Sequence, residues 1–177
     1  DADYIRNIHK AVRYTGLAGR ALLMAGIFPP AWLAGTALLG VSKILDNMEL
    51  GHNVMHGQFD WMRDPAYNGK TFEWDIVGTS DNWRYTHNFR HHTYTNVRGM
   101  DDDVGYGLLR LFPEQRWKPM YLFQPVYSVL FALLFQWGVA IQNLELGRVA
   151  KGKKSWAELK EQWIPLQKKI RSQLLKD

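Results

Sequence analysis

The sequence predicts an all-α protein of membrane helices: a helical hairpin, a further transmembrane or re-entrant segment, and a helical histidine-rich region on the cytoplasmic side. Three observations predict it. Ala21 to Val41 and Tyr121 to Ile141 are each 21 residues without a charge, about the length that crosses a hydrocarbon core as a helix. Five of the six histidines fall in two clusters at helical spacing. The basic C-terminal stretch repeats its apolar residues every three or four positions. The chain has 177 residues and 46% apolar content, room for one domain with a real core and too apolar for disorder. It has no cysteine, which excludes disulfides, zinc ribbons, cysteine-ligated iron–sulfur clusters and thiol nucleophiles. Any metal must be held by His, Asp or Glu.

The first apolar block contains Pro29-Pro30. Two missing backbone donors and the restriction on the preceding residue predict a turn rather than one straight span. The first arm of the hairpin then runs from about Tyr4 to Phe28, with Arg20 able to snorkel, and the second from Ala31 through Val41 into polar residues beyond. A buried helix pair of a soluble protein is the alternative.

The second block meets a charge asymmetry. Residues 42–120 carry nine Lys/Arg and eleven Asp/Glu, whereas 148–176 carry nine Lys/Arg against two acids, so the positive-inside rule places the tail in the cytoplasm. A single crossing by 121–141 would put the tail and the 42–120 segment on opposite sides. Pro125, Gln124, Ser128, Gln136 and Gln142 leave room for a re-entrant or broken segment instead, and both readings stay open. In the tail, Ser155-Trp156-Ala157-Glu158 has a capping-box pattern, and Trp156, Leu159, Trp163, Leu166, Ile170 and Leu174 predict an amphipathic helix bent at Pro165. The expected organisation is a membrane hairpin over 1–47, a cytoplasmic histidine region over 48–120, a third apolar membrane segment over 121–141 and a basic tail over 142–177. These form one incomplete domain.

His52 and His56 are four residues apart, one turn above each other on an α-helix. His87 and His91 repeat that spacing, with His92 about 100° further around the axis, able to reach a different ion. Neutral imidazole suits iron, copper, nickel and zinc, and two i, i+4 pairs can grip two ions. The zinc-protease pattern fails, because Asn53 and Asn88 stand where a glutamate base is needed. The ferritin-like pattern needs two Glu-x-x-His motifs, and only Glu49 and His52 stand at that spacing. Asp101-Asp102-Asp103 does not fit a calcium loop, since Gly105 and Phe112 replace oxygen ligands. Lone His9 reads as structural.

With these residues in hand, the chain resembles the first part of an integral-membrane fatty-acid desaturase of the bacterial acyl-CoA or acyl-lipid type. His-x-x-x-His at 52–56 and His-x-x-x-His-His at 87–92 match the first two of that family's three histidine boxes. Trp83 four residues before His87, and Thr93-Tyr94-Thr95-Asn96 before the acidic triplet, sharpen the match. The resemblance implies two ferrous ions held by His52, His56, His87, His91 and His92, with O2 as co-substrate, removing two hydrogens from a fatty acyl-CoA or acyl-lipid.

It also implies a separate electron donor, a ferredoxin, cytochrome or flavin reductase, because no Gly-x-Gly-x-x-Gly fingerprint occurs here. Membrane lipid is an expected partner and nucleic acid is not. The expected location is an integral membrane, the cell membrane in a bacterium, with the active site facing the cytoplasm. No third box follows His92, so the protein is expected to continue past Asp177, and this stretch alone to be inactive. Glu49, Asp60, Asp81, Asp101 and Asp103 are candidates to orient the imidazoles. Trp83 and Arg84 are the substrate-binding candidates, among the bulky residues Trp61, Trp74, Tyr85 and Phe89 and the cations Arg63, Lys70, Arg90 and Arg98. A di-iron membrane hydroxylase and a non-enzymatic metal-binding membrane protein are the alternatives, separated by product analysis and by oxygen uptake.

Overall fold

The computed structural model describes residues 1–101, 103–150 and 152–176. Asp102 of the acidic triplet and Lys151 and Asp177 of the tail lie outside the described residues. Every regular element among the described residues is helical, as an all-α chain requires. The chain forms two compact units, residues 1–75 and 76–177.

The first unit is built on a helical hairpin. Helix α1 spans Ala2–Met24 and α2 spans Pro29–Ile44. Pro29 and Pro30 occupy the first turn of α2, where a missing N–H breaks no intrahelical bond and the fixed φ already suits a helix. The prolines therefore start the second arm as well as ending the first. The arms meet at small residues: a Cβ on Gly35 would lie 2.9 Å from the Gly19 carbonyl oxygen, so only glycine permits this approach. Nearby, the Ser42 hydroxyl donates to the Val12 carbonyl at 2.8 Å.

No single helix among the described residues is long and apolar enough to cross a membrane. Neither arm of the hairpin alone meets that measure. The charge-free block is divided by the turn, α2 is only 16 residues long, and α1 carries Arg6, Lys10, Arg13 and Arg20 along its length.

Helix α2 runs on into a π-helical turn at Leu45–Gly51 and then α3, His52–Met55. The widened turn shows in the His52 amide, which donates to the Asn47 carbonyl five residues back. Asn47 and Asn53 donate their side-chain amides to the carbonyls of Lys43 and Glu49, each at 2.8 Å. The core of this unit is Ile5, Leu50, Val54, Phe59 and Tyr67, which packs the start of α1 against the segment bearing His52 and His56. Tyr4 donates to Glu49 across the same seam, and His9 meets the Tyr67 hydroxyl at 3.1 Å, the structural role expected of a lone histidine.

The second unit begins with α4, Ser80–Trp83, which continues as a π-helix over Arg84–His91. Loops lead to α5, Gln124–Leu133, and α6, Phe135–Gln142. The third apolar segment is thus broken: Pro119–Leu133 and Phe135–Ala150 meet at 93°. Such a pair suits a broken span or a re-entrant loop, and a straight crossing helix is not formed. Short α7, Leu146–Ala150, and long α8, Trp156–Lys176, complete the unit.

The capping box forms as expected. The Ser155 amide and hydroxyl both donate to Glu158 at 2.7 Å, and the Glu158 amide returns a bond to the Ser155 hydroxyl. Helix α8 continues through Pro165. Of its apolar stripe, Leu159, Leu166 and Ile170 join the core of Val77, Ala140 and Leu144, while Trp156 and Leu174 at the ends stay exposed.

Candidate metal centre

In the first unit, the imidazoles of His52 and His56 stand 4.5 Å apart, nearly perpendicular at 81°. Their Nε2 atoms are 3.2 Å apart, the separation of two nitrogens bound to one ion at about 2.1 Å each. The rings owe this convergence to the one-turn spacing, and the buried Val54 anchors the opposite face of the short helix.

In the second unit, His87, His91 and His92 form a compact triangle. The ring centroids are 4.9 Å apart for His87–His91, 5.1 Å for His87–His92 and 5.2 Å for His91–His92. The His92 ring nevertheless stays close to the other two, on a helix that is π-wound. The His92 amide donates to the His87 carbonyl, so the i+5 position returns toward the i position. The winding thereby gathers three imidazoles.

Carboxylates orient two of these rings. Asp103 Oδ2 accepts from His87 Nδ1 at 2.7 Å, and Asp101 accepts from His91 Nδ1 at 3.0 Å. A carboxylate can only accept, so the proton sits on Nδ1 and the lone pair on Nε2 is the one presented for a metal. Asp101 has a fully buried side chain. Burial alone would push its carboxyl up, but the Asn96 amide at 2.8 Å, the His91 ring and the Asp103 amide at 3.0 Å together hold it below the usual carboxylate range. It is thus a fixed anion behind His91. Burial, aided by the neighbouring His87 and His91, holds His92 below its ordinary value, against a smaller opposing effect of Asp103. That favours the neutral form a ligand needs. Donor atoms of His87, His91 and Asp103 lie within 4.8 Å of one another. Imidazole donors oriented by carboxylates fit a borderline divalent metal such as ferrous iron.

Of the five acids expected to orient the imidazoles, the structure brings two to the rings. Glu49 receives the Tyr4 hydroxyl, Asp60 receives the Gly69 amide at 2.7 Å, and Asp81 pairs with Arg84 at 2.8 Å. Trp83 stacks on His87 with centroids 4.5 Å apart, placing its indole directly behind a metal-site ring. Arg84 is tied to Asp81 one turn back on its own helix. Tyr85 stacks on Phe89, Trp74 is buried, and Arg90 donates to the Met100 carbonyl at 3.0 Å.

Sequence reasoning missed the π-winding and the loop that holds Asp101. Asn96, with φ +62°, and Gly99, with φ +79°, turn the chain between His92 and Asp101. Asn and Gly three apart before an acid were the available signal, since both tolerate the left-handed region.

The chain is 49% identical to an NADPH-dependent stearoyl-CoA 9-desaturase of Mycobacterium tuberculosis, over 100% of this chain and 42% of that protein. It is 36% identical over 111 residues to an sn-1 linoleoyl-lipid 6-desaturase of Synechocystis, covering 60% of this chain and 30% of that protein. A protein of the same description from Arthrospira platensis is 30% identical over 115 residues, 61% of this chain and 30% of that protein. The chain therefore spans less than half the length of these relatives. No solved structure matches it significantly. The sequence model for fatty acid desaturases matches residues 28–167, and the chain belongs to the fatty acid desaturase family.

Proposed function

We propose that this chain carries two of the histidine sets of a di-iron fatty acyl desaturase, an oxidoreductase that introduces a double bond into an acyl chain. The observation that supports it most is the pairing of His87 with Asp103 and His91 with Asp101, which readies nitrogen donors for a metal. His52, His56, His87, His91 and His92 are the proposed ligands, joined by others from outside these 177 residues. When bound, two ferrous ions supply activation of O2 and abstraction of two hydrogens from an unactivated acyl chain.

The chain's own residues do the positioning. Asp101 and Asp103 hold the Nδ1 protons of their imidazoles and so fix each ring's orientation. Trp83, stacked on His87, limits tilting of that ring and shields it from water. The same indole is the proposed wall for an acyl chain approaching the centre, and Arg84, steadied by Asp81, is the proposed partner for a substrate phosphate on the cytoplasmic face.

The relative with the greater identity acts on stearoyl-CoA, which favours an acyl-CoA substrate over an acyl-lipid. Its description as NADPH-dependent supports electrons arriving from NADPH through a separate reductase or carrier, with the basic α8 as a landing surface for an acidic donor. The protein is integral to the membrane in this reading. The exposed Leu122, Phe123, Val126 and Leu130, on the arm that precedes the 93° break, support lipid contact, and the organisation into hairpin, histidine region, broken segment and basic tail follows.

The test is acyl-chain analysis of cells expressing the complete protein. A new mono-unsaturated acyl species, with oxygen uptake dependent on acyl substrate and absent from His91→Ala, supports the reading. A hydroxylated product, or metal binding without oxygen uptake, contradicts it.

A further inference from the structure

Beside the start of α5 lies a cleft of ≈ 340 Å³ lined by Arg110, Trp117, Tyr121, Gln124, Pro125 and Ser128. None of these residues belongs to the metal centre. Arg110 is rigidly mounted at it: Nε donates to the Gln115 carbonyl at 3.0 Å and Nη2 to the Pro113 carbonyl at 2.8 Å. Its backbone amide donates to Gln124 Oε1 at 2.8 Å, and Gln124 Nε2 donates back to the Arg110 carbonyl at 3.3 Å. Two of five guanidinium donors are thus spent on neutral carbonyls, and Arg110 makes no ion pair among the described residues. A half-buried guanidinium with fixed orientation and no carboxylate is preorganised for an oxyanion, above all a phosphate.

The surroundings decide which phosphate. The cleft sits where the bent apolar pair begins at Pro119, and Leu122, Phe123 and Val126 project exposed from that pair. Trp117, 54% exposed, and Tyr121 both line the cleft, the residue types that gather at a membrane–water boundary. Arg116 and Lys118 flank the cleft and are exposed, adding attraction for an anionic surface.

We propose that this cleft binds the headgroup phosphate of an anionic membrane lipid, with Arg110 on the phosphate and the acyl chains along the exposed face of α5. The site anchors the broken segment at the headgroup level. It rests on the membrane placement in the reading above and is independent of the metal chemistry.

The test is native mass spectrometry of the complete protein released from detergent. It is titrated in turn with phosphatidylglycerol, phosphatidylcholine and soluble glycerol 3-phosphate. One phosphatidylglycerol per chain is expected, bound about tenfold more weakly by Arg110→Gln, the cost of losing one charged hydrogen-bonding partner. Arg171→Gln, far along the exposed tail, retains it. Trp117→Ala, which leaves the Arg110 mounting intact, is expected to weaken it several-fold and decides the matter if Arg110→Gln does not fold.

Equal retention by folded Arg110→Gln or by Trp117→Ala would overturn the site. Glycerol 3-phosphate binding as tightly as the lipid would overturn the lipid assignment in favour of a soluble phosphate ester. Because the readout is bound mass, loss of desaturase activity with lipid binding intact would count only against the proposed function.

Discussion

Asp101 Oδ2 lies 3.0 Å from His91 Nδ1, and the Asp101 side chain has no solvent exposure. The carboxylate is itself held by the backbone amides of Asn96 and Asp103, so the position of one imidazole is determined by a turn five to ten residues downstream. A ligand fixed this way loses little conformational entropy when a metal arrives.

Replacing the charge while keeping the shape tests that relationship. Asp101→Asn is expected to lower iron affinity of the complete protein 10- to 100-fold, the usual cost of removing such a partner. Asp81→Asn, whose carboxylate meets Arg84 and no imidazole, should leave affinity unchanged. Competition with a chelator measures both, and equal affinity in wild type and Asp101→Asn would refute the orienting role.

The hairpin makes a different prediction. At Gly35 a Cβ would meet the Gly19 carbonyl at 2.9 Å and Leu23 at 3.0 Å, whereas at Gly40 nothing lies within 4 Å. Gly35→Ala should therefore destabilise by about 1–3 kcal/mol through overpacking. Gly40→Ala should be neutral or stabilise by up to about 1 kcal/mol through helix propensity. Thermal unfolding in detergent reads both, and an unchanged midpoint for Gly35→Ala would rule out the close crossing.

Lys154 ties the α6–α7 connection to α8. Its side chain is 6% exposed, and Nζ donates to the Leu144 carbonyl at 2.9 Å and to Gln162 at 2.5 Å. Lys154→Met should cost about 2 kcal/mol, the scale of hydrogen bonds to a charged group, without altering iron content. Chemical denaturation is the check, and a loss below about 0.5 kcal/mol would show the lysine to be dispensable.

The same connection gives an acid dependence. Burial would raise the Glu145 carboxyl, but Arg148 at 2.8 Å and Lys154 outweigh it and hold it below the usual range. A carboxyl depressed by folding stabilises at pH values above its unfolded value, about 4.3. That contribution fades as pH falls through the lower folded value. Glu145→Gln should lower stability at pH 7 and flatten its decline below about pH 4.3. Parallel pH–stability curves for the two proteins would contradict this.

Much of the centre was legible because its information is local. His52–His56 and His87–His91 announce themselves by spacing, and Ser155–Glu158 by the capping box. The π-winding was hidden, since an i, i+4 pair reads alike on either helix and only His92 betrays the difference. The choice of Asp101 and Asp103 over Glu49, Asp60 and Asp81 depended on how the Asn96–Gly99 turn folds back, which spacing alone does not encode. The apolar block over 121–141 left a straight and a broken segment both open, because Leu134 is no helix breaker and the packing of Ala140 and Leu144 on Leu166 accounts for the direction of α6.

Whether these histidines hold iron is read from elemental analysis of the complete protein purified in detergent. About two irons per chain in the wild type and in His9→Ala, with iron lost together with turnover in His87→Ala and His91→Ala, is the predicted result. Full iron and turnover in His91→Ala would contradict it.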